Sequence, residues 1–231
     1  MLRHLIVVGL ILTLAGPVTP DAGVVLAQDG EGQDIPGWGT LFDPEGGATV
    51  ASEGDSVELT VPGSYRDLWP EGRVNAPRIL TPVQGDFSVV VKVPAIPGTG
   101  TDLAPDRPDA ARWPVKAAAL LVWQDEGNFV RFERLSSQSR HSWHYHTFDD
   151  GKRLIQLRGE LKPDVATHLW IARQKGTFHA GYRQEGDKDW TRLETHRLGL
   201  PDQVQVGVSL VNSTSEAFTA RFEQFKVSEG R

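Results

Sequence analysis

The 231-residue chain carries 24 Lys and Arg against 30 Asp and Glu, a net charge of −6, and no cysteine. The acidic balance argues against a nucleic-acid partner, which needs a basic face, and the missing thiols exclude disulfide staples and thiolate chemistry. Stability must come from an apolar core, which a chain of this length has the residues to build.

Met1, Leu2, Arg3 and His4 precede an apolar run from Leu5 to Gly16, and Val25-Leu26-Ala27 offers a small-residue cleavage site. That pattern predicts a signal peptide over 1–27 and a secreted or periplasmic product starting near Gln28. The run falls short of the roughly 20 residues of a membrane helix, and no cysteine follows it to accept a lipid, so no membrane span is expected. Residues 28–37 are mostly Gly, Gln, Asp and Glu and predict a flexible leader.

From Trp38 onward, short Val-, Leu-, Phe- and Trp-rich stretches alternate with polar residues between Gly, Pro, Asp and Asn clusters. Strands are predicted near 48–51, 56–61, 79–81, 86–93, 116–124, 128–135, 142–148, 153–158, 167–174, 177–184, 190–194, 203–211 and 217–227, with almost no helix. Asp125-Glu126-Gly127-Asn128, Asp149-Asp150-Gly151-Lys152 and Lys175-Gly176 place glycine at hairpin turns, Gly127 with positive φ. Five prolines make 94–115 a long surface loop. Phe222 and Phe225 differ in parity, so a bulge is expected in the last strand. The fold class is all-β: a two-layer antiparallel β-sandwich over 38–228, one domain.

Four segments carry a family resemblance: Asn75-Ala76-Pro77-Arg78-Ile79-Leu80 into Gly85-Asp86-Phe87; Leu120-Leu121-Val122-Trp123-Gln124-Asp125 into Asn128-Phe129-Val130-Arg131-Phe132-Glu133-Arg134; Gly186-Asp187-Lys188-Asp189-Trp190; and Val206-Gly207-Val208 through Phe222-Glu223-Gln224-Phe225-Lys226-Val227. In that order and spacing they resemble the secreted domain of unknown function 1349, also called regulation-of-enolase-protein-1-like. The resemblance implies a concanavalin A-like jelly roll, the fold of lectins and some glycanases, and brings no established reaction or catalytic residues.

No catalytic motif emerges from the residues. The Glu-x-Asp-x-x-Glu pattern of jelly-roll glycanases is approached at Glu185-Gly186-Asp187, but Trp190 stands where its last carboxylate should be. His141, His144 and His146 cluster tightly, and His144 with His146 would share one strand face at a spacing some metal sites use. Ordinary strand histidines in a polar hairpin are the simpler reading. No cofactor is indicated; a calcium ion would have to use acids of the 102–109 loop or Asp149 and Asp150.

Trp123, Trp170 and Trp190 lie in β-like apolar contexts and are expected in the core. Trp69 sits instead in the aromatic and charged stretch Tyr65-Arg66-Asp67-Leu68-Trp69-Pro70-Glu71-Gly72-Arg73. Alternation predicts that the 128–135 strand buries Val130 and Phe132 and presents Arg131 and Glu133. A ligand site would gather Trp69 as an apolar platform with Arg73, Asn75, Arg78, Gln124, Arg131 and Glu133 as hydrogen-bonding groups. The competing reading makes the 65–78 loop a structural clasp. Function stays open among a non-catalytic binding or accessory module with a glycan as partner, a carbohydrate-active hydrolase whose carboxylates come from separate loops, and a structural or protein-interaction domain of an envelope assembly.

Overall fold

Hairpin turns and alternating apolar residues run through nearly the whole of the computed structural model, which describes residues 24–26, 32–108 and 113–230. Seventeen strands and no helix occur among the described residues. They are β1 (Val24–Leu26), β2 (Gln33–Ile35), β3 (Gly39–Phe42), β4 (Thr49–Glu53), β5 (Ser56–Val61), β6 (Arg78–Gln84), β7 (Phe87–Val93), β8 (Lys116–Asp125), β9 (Asn128–Ser137), β10 (Arg140–Asp149), β11 (Lys152–Glu160), β12 (Thr167–Gln174), β13 (Thr177–Gln184), β14 (Thr191–Arg192), β15 (His196–Arg197), β16 (Gln203–Asn212) and β17 (Phe218–Glu229). No helix there is long and apolar enough to cross a membrane.

All pairings are antiparallel. One sheet runs β1-β4-β5-β17-β7-β12-β13-β14, with β15 also on β13, and the other runs β11-β10-β9-β8-β16-β6-β3-β2. In β7, Phe87, Val89, Val91 and Val93 are buried while Ser88, Val90 and Lys92 are half-exposed, the period-2 pattern of a strand with one face on a core. These side chains meet Leu120, Val122, Val130, Phe132, Val206 and Val208 of the facing sheet in one continuous apolar layer. The two sheets therefore pack as a sandwich.

Three expectations change. Residues 33–35 are not leader but β2, paired with β3 at the sheet edge, because Ile35 is 2% exposed and closes the end of the core with Trp38. Residues 28–31 lie outside the described residues, as do 1–23 and Ala27 of the expected signal peptide, while Val24–Leu26 forms the outermost strand against β4. Trp123 is buried as expected, but Trp170 and Trp190, on the outer face of the other sheet, are only half-buried. The bulge in the last strand is present: β17 moves from β5 to β7 with a register shift between Glu223 and Lys226, and Gln224 takes φ 55°.

Two arginines act as carbonyl collectors inside the fold. Arg134, fully buried, donates to Thr167 Oγ1 at 2.7 Å and to the carbonyls of Pro163 and Val165, fixing the turn before β12. Arg173 likewise gathers the carbonyls of Gly85, Pro201 and Asp202.

Candidate functional site

Along β8 and β9 the sheet is buried on both faces, which alternation alone does not anticipate. Leu120, Val122, Val130 and Phe132 face the main core, while Ala119, Leu121, Trp123, Phe129 and Phe148 face outward into a second apolar cluster. The 64–78 loop covers that second face, contributing Leu68 and Ala76. Its course is set by local chemistry. Trp69-Pro70-Glu71-Gly72 closes a turn through Gly72 N donating to Trp69 O at 2.8 Å, with proline second and glycine fourth. Arg66 exchanges two backbone bonds with Asn212 at 2.8 and 2.9 Å, anchoring the loop to β16.

Under this loop lies a charged cluster. Arg131 Nη1 donates to Asp67 Oδ1 and to Leu68 O, both at 2.9 Å, and Arg131 Nε is 3.3 Å from Glu133 Oε2. Across the β9–β10 pair, Glu133 stands opposite His144 and Arg131 opposite His146. Glu133 Oε1 is 3.9 Å from both His144 Nδ1 and His146 Nε2. Glu133 Oε2, Arg131 Nε and His146 Nδ1 are buried without hydrogen bonds. Arg131 and Glu133 are thus not presented to solvent as expected: the loop covers them, and they are 5% and 1% exposed.

Burial dominates the protonation of this cluster. It pushes the Glu133 carboxyl up to about 7 even against the neighbouring Arg131 charge. Burial and then Arg131 push the imidazoles down, His144 to about 4 and His146 to about 2, so both are neutral at physiological pH. Tyr65, whose hydroxyl donates to Asp67 Oδ2 at 2.8 Å, is also held protonated by burial and by that carboxylate.

The structure brings together only some of the residues expected to converge. Asn75 is engaged within the loop: Nδ2 donates to Glu45 Oε1 and Tyr65 O, and Oδ1 accepts from Asp67 N, all at 2.8 Å. Arg73 pairs with Asp106 at 3.2 Å, and the same carboxylate accepts from Tyr65 N, which ties it to the loop rather than to a cation. Arg78 lies over the Trp123 ring at 4.3 Å. Gln124 is exposed at the hairpin end, within the register irregularity between Trp123 and Asp125. Trp69 is not an open platform, because Arg153 lies over its ring at 4.9 Å and it meets Phe148 and His146 edge-on. His141 has the parity of Trp143 and Tyr145 and points to the other face, so the third member of the histidine cluster is Glu133.

A second candidate lies on the outer face of the other sheet, where sequence reasoning had not looked. Trp170 stands opposite Gly181 in the β12–β13 pair, and a Cβ on that glycine would come within 3.3 Å of the ring at Cε3. The indole therefore packs down over the glycine, held by Nε1 donating to Ser88 Oγ at 2.8 Å. Trp190 meets it at 6.2 Å between centroids, and Arg183 lies over Trp190 at 5.4 Å. Beside Trp170 an open groove of about 780 Å³ is lined by polar side chains including Asp86, Gln174, Lys175, His179, Arg197 and Glu229. Even parity in β12 placed Trp170 with His168 and not with Leu169 and Ile171, a signal that its apolar neighbours concealed.

No protein-family model and no curated protein matches the chain. Its fold is similar to that of solved structures. A functionally unknown protein from Saccharomyces cerevisiae superposes with TM-score 0.61 at 15% identity, over 79% of this chain and 92% of that one. A xylan beta-1,4-xylosidase from Bacillus halodurans C-125 gives 0.54 at 15% identity over 74% of this chain. An engineered GH43 glycoside hydrolase with endo-xylanase and exo-arabinofuranosidase activity gives 0.59 at 9% identity over 94% of this chain. This chain spans 33% of the xylosidase and 42% of the GH43 enzyme, so the likeness is to part of each. At these identities the likeness concerns the fold.

Proposed function

We propose that the chain is an extracytoplasmic, non-catalytic module that binds a polysaccharide along the outer face of the nine-stranded sheet. The observation that carries this reading is Trp170, a tryptophan fixed over a glycine beside an open groove lined by hydrogen-bonding side chains. A sugar ring presents an apolar C–H face that packs on an aromatic plane and hydroxyls that need planar polar partners, and this groove offers both. The basic, apolar N-terminal pattern supports export, and likeness to parts of two carbohydrate-active enzymes supports the ligand class. Asp67 and Glu133, the two carboxylates paired with Arg131, have that guanidinium between them beneath the 64–78 segment, an arrangement unsuited to a glycan chain passing between them.

The test is a plant and bacterial polysaccharide array followed by titration of the best ligand. Wild type is expected to bind, Trp170→Ala to lose binding by at least roughly tenfold with an unchanged circular dichroism spectrum, and no reducing ends to be released. Release of reducing ends would replace the reading by hydrolysis; unaltered binding by Trp170→Ala would move the site elsewhere.

A further inference from the structure

We infer that Glu133, His144 and His146 form a binding site for one divalent transition-metal ion of the zinc class, separate from the groove on the other sheet. The three residues sit on neighbouring strands of one hairpin and converge because residues of one parity on β9 and β10 share a face. One ligand atom from each lies within 4.8 Å of the others, and Glu133 Oε1 is 3.9 Å from each imidazole nitrogen. That spacing is too long for hydrogen bonds and short enough for a shared ion. A point equidistant from three atoms so spaced lies roughly 2.3 to 2.5 Å from each, and contraction by a few tenths of an ångström reaches the roughly 2.0–2.2 Å of zinc bonds to nitrogen and carboxylate oxygen.

Independent features support the assignment. Glu133 is 1% exposed and its Oε2 faces Arg131 Nε at 3.3 Å, which leaves Oε1 turned to the two imidazoles. His144 Nε2 lies 3.2 Å from Ser142 Oγ, so an Nε2–H donated there would leave the Nδ1 lone pair facing Glu133, the second-sphere arrangement that orients metal-binding histidines. Asp67 pairs with Arg131 at 2.9 Å beside the cluster, so part of the guanidinium charge is offset where an ion would enter. His144 is 20% exposed at the side chain, which provides an entry route. Two imidazoles and one carboxylate suit an ion of borderline softness such as zinc or cobalt and disfavour calcium, which takes oxygen ligands. Three protein ligands leave a further coordination position for water or a ligand oxygen.

The full chain, stripped with chelator, is titrated with cobalt(II) while visible ligand-field absorption is followed, then with zinc by competition. One equivalent is expected to bind with the intense bands of a low-coordinate nitrogen and oxygen site. His144→Ala, a change at the partly exposed ligand, and Glu133→Gln each reduce affinity at least roughly tenfold. Ser142→Ala, which removes only the orienting bond, reduces it about tenfold, and His141→Ala, on the other face, leaves it unchanged. Near-ultraviolet circular dichroism of each variant verifies folding; should Glu133→Gln unfold, His144→Ala and Ser142→Ala still decide. Failure of the folded wild type to bind either ion at millimolar concentration, or equal affinity in wild type and His144→Ala, overturns the inference. Glycan binding, lost in Trp170→Ala and kept in His144→Ala, distinguishes the two sites.

Discussion

Glu133 and His144 face each other across the β9–β10 hairpin, a carboxyl that burial holds protonated up to about 7 opposite an imidazole that burial holds neutral down to about 4. The two groups act oppositely on stability. Glu133 ionises near 4.5 when unfolded, so its contribution is present below that pH and is lost as pH rises toward 7. His144 and His146 ionise near 6.5 when unfolded, so theirs is full above 6.5 and is lost as pH falls. Two imidazoles outweigh one carboxyl, and His141, His168 and His196 are shifted in the same sense by burial. The melting temperature of the chelator-treated protein is therefore expected to fall between pH 6.5 and pH 4.5. Glu133→Gln should fall more steeply, because the opposing contribution is gone. A melting temperature that is flat or rises toward acid would contradict the burial assigned to these histidines.

Arg131 links the loop to the sheet. Its guanidinium holds Asp67, Leu68 O and Glu133 together, and removing it leaves Asp67 without its cation and takes from Glu133 the charge that favours its ionisation. Arg131→Ala should cost about 3–5 kcal/mol in urea unfolding. The 64–78 loop should also become cleavable by protease under native conditions. At alkaline pH, where the Glu133 carboxyl must ionise, adding Glu133→Gln to Arg131→Met should recover part of the loss, since no uncompensated charge then forms at position 133. Strict additivity of the two changes would show that they do not interact.

Much of this architecture was legible because its causes are local. The Lys175-Gly176 turn, with φ 49° and 74°, is a glycine hairpin of the expected kind, and it fixes the register that sets Trp170 opposite Gly181. The β9–β10 turn was harder to read, since Gln138 takes φ 56° without a glycine, and that turn is what sets Glu133 opposite His144. The second apolar cluster was hidden for another reason. Alternation says that Leu121 and Phe129 share a face with Arg131 and Glu133, but whether that face meets water depends on a loop some sixty residues earlier in the chain. Of the proposed site residues, Trp69, Arg131 and Glu133 come together, whereas Arg73 and Asn75 have their polar groups engaged in holding the loop and Arg78 stacks on Trp123 with one bond from Nη1 to Ala76 O, which supports the clasp reading.

Asn212-Ser213-Thr214 matches a glycosylation sequon, and the fold makes Asn212 inaccessible to modification once folded. It is 0% exposed, its Nδ2 donates to Pro62 O and Glu216 O at 2.9 Å, and its Oδ1 accepts from Thr214 N at 3.0 Å. Asn212→Ala should destabilise by at least about 2 kcal/mol, because buried carbonyls are left without donors. Protein purified in folded form from a glycosylating host should carry an unmodified Asn212 by mass spectrometry; a modified, folded population would contradict the burial.

Gly127 is required for a different reason from the one its turn suggests. Its φ lies outside the left-handed region, because Asp125 caps the turn: Oδ1 accepts from Gly127 N and from Asn128 Nδ2, both at 2.8 Å, so the chain reverses without the strained conformation. What excludes a side chain is the neighbouring hairpin. A Cβ at Gly127 would stand 3.1 Å from Gly151 N, which donates to Gly127 O at 3.0 Å, while Asp150 N donates to Asn128 Oδ1 at 3.0 Å. Gly127→Val should therefore cost about 1–3 kcal/mol by forcing the two hairpin tips apart, and the amides of Asp150 and Gly151 should lose hydrogen-exchange protection. Gly176→Ala is the contrasting case. Nothing lies within 4 Å of the added Cβ, but φ is 74°, so a cost of roughly 1 kcal/mol should arise from the backbone alone, with those two amides unchanged. Equal protection of Gly151 in wild type and Gly127→Val would mean that the hairpin tips do not touch.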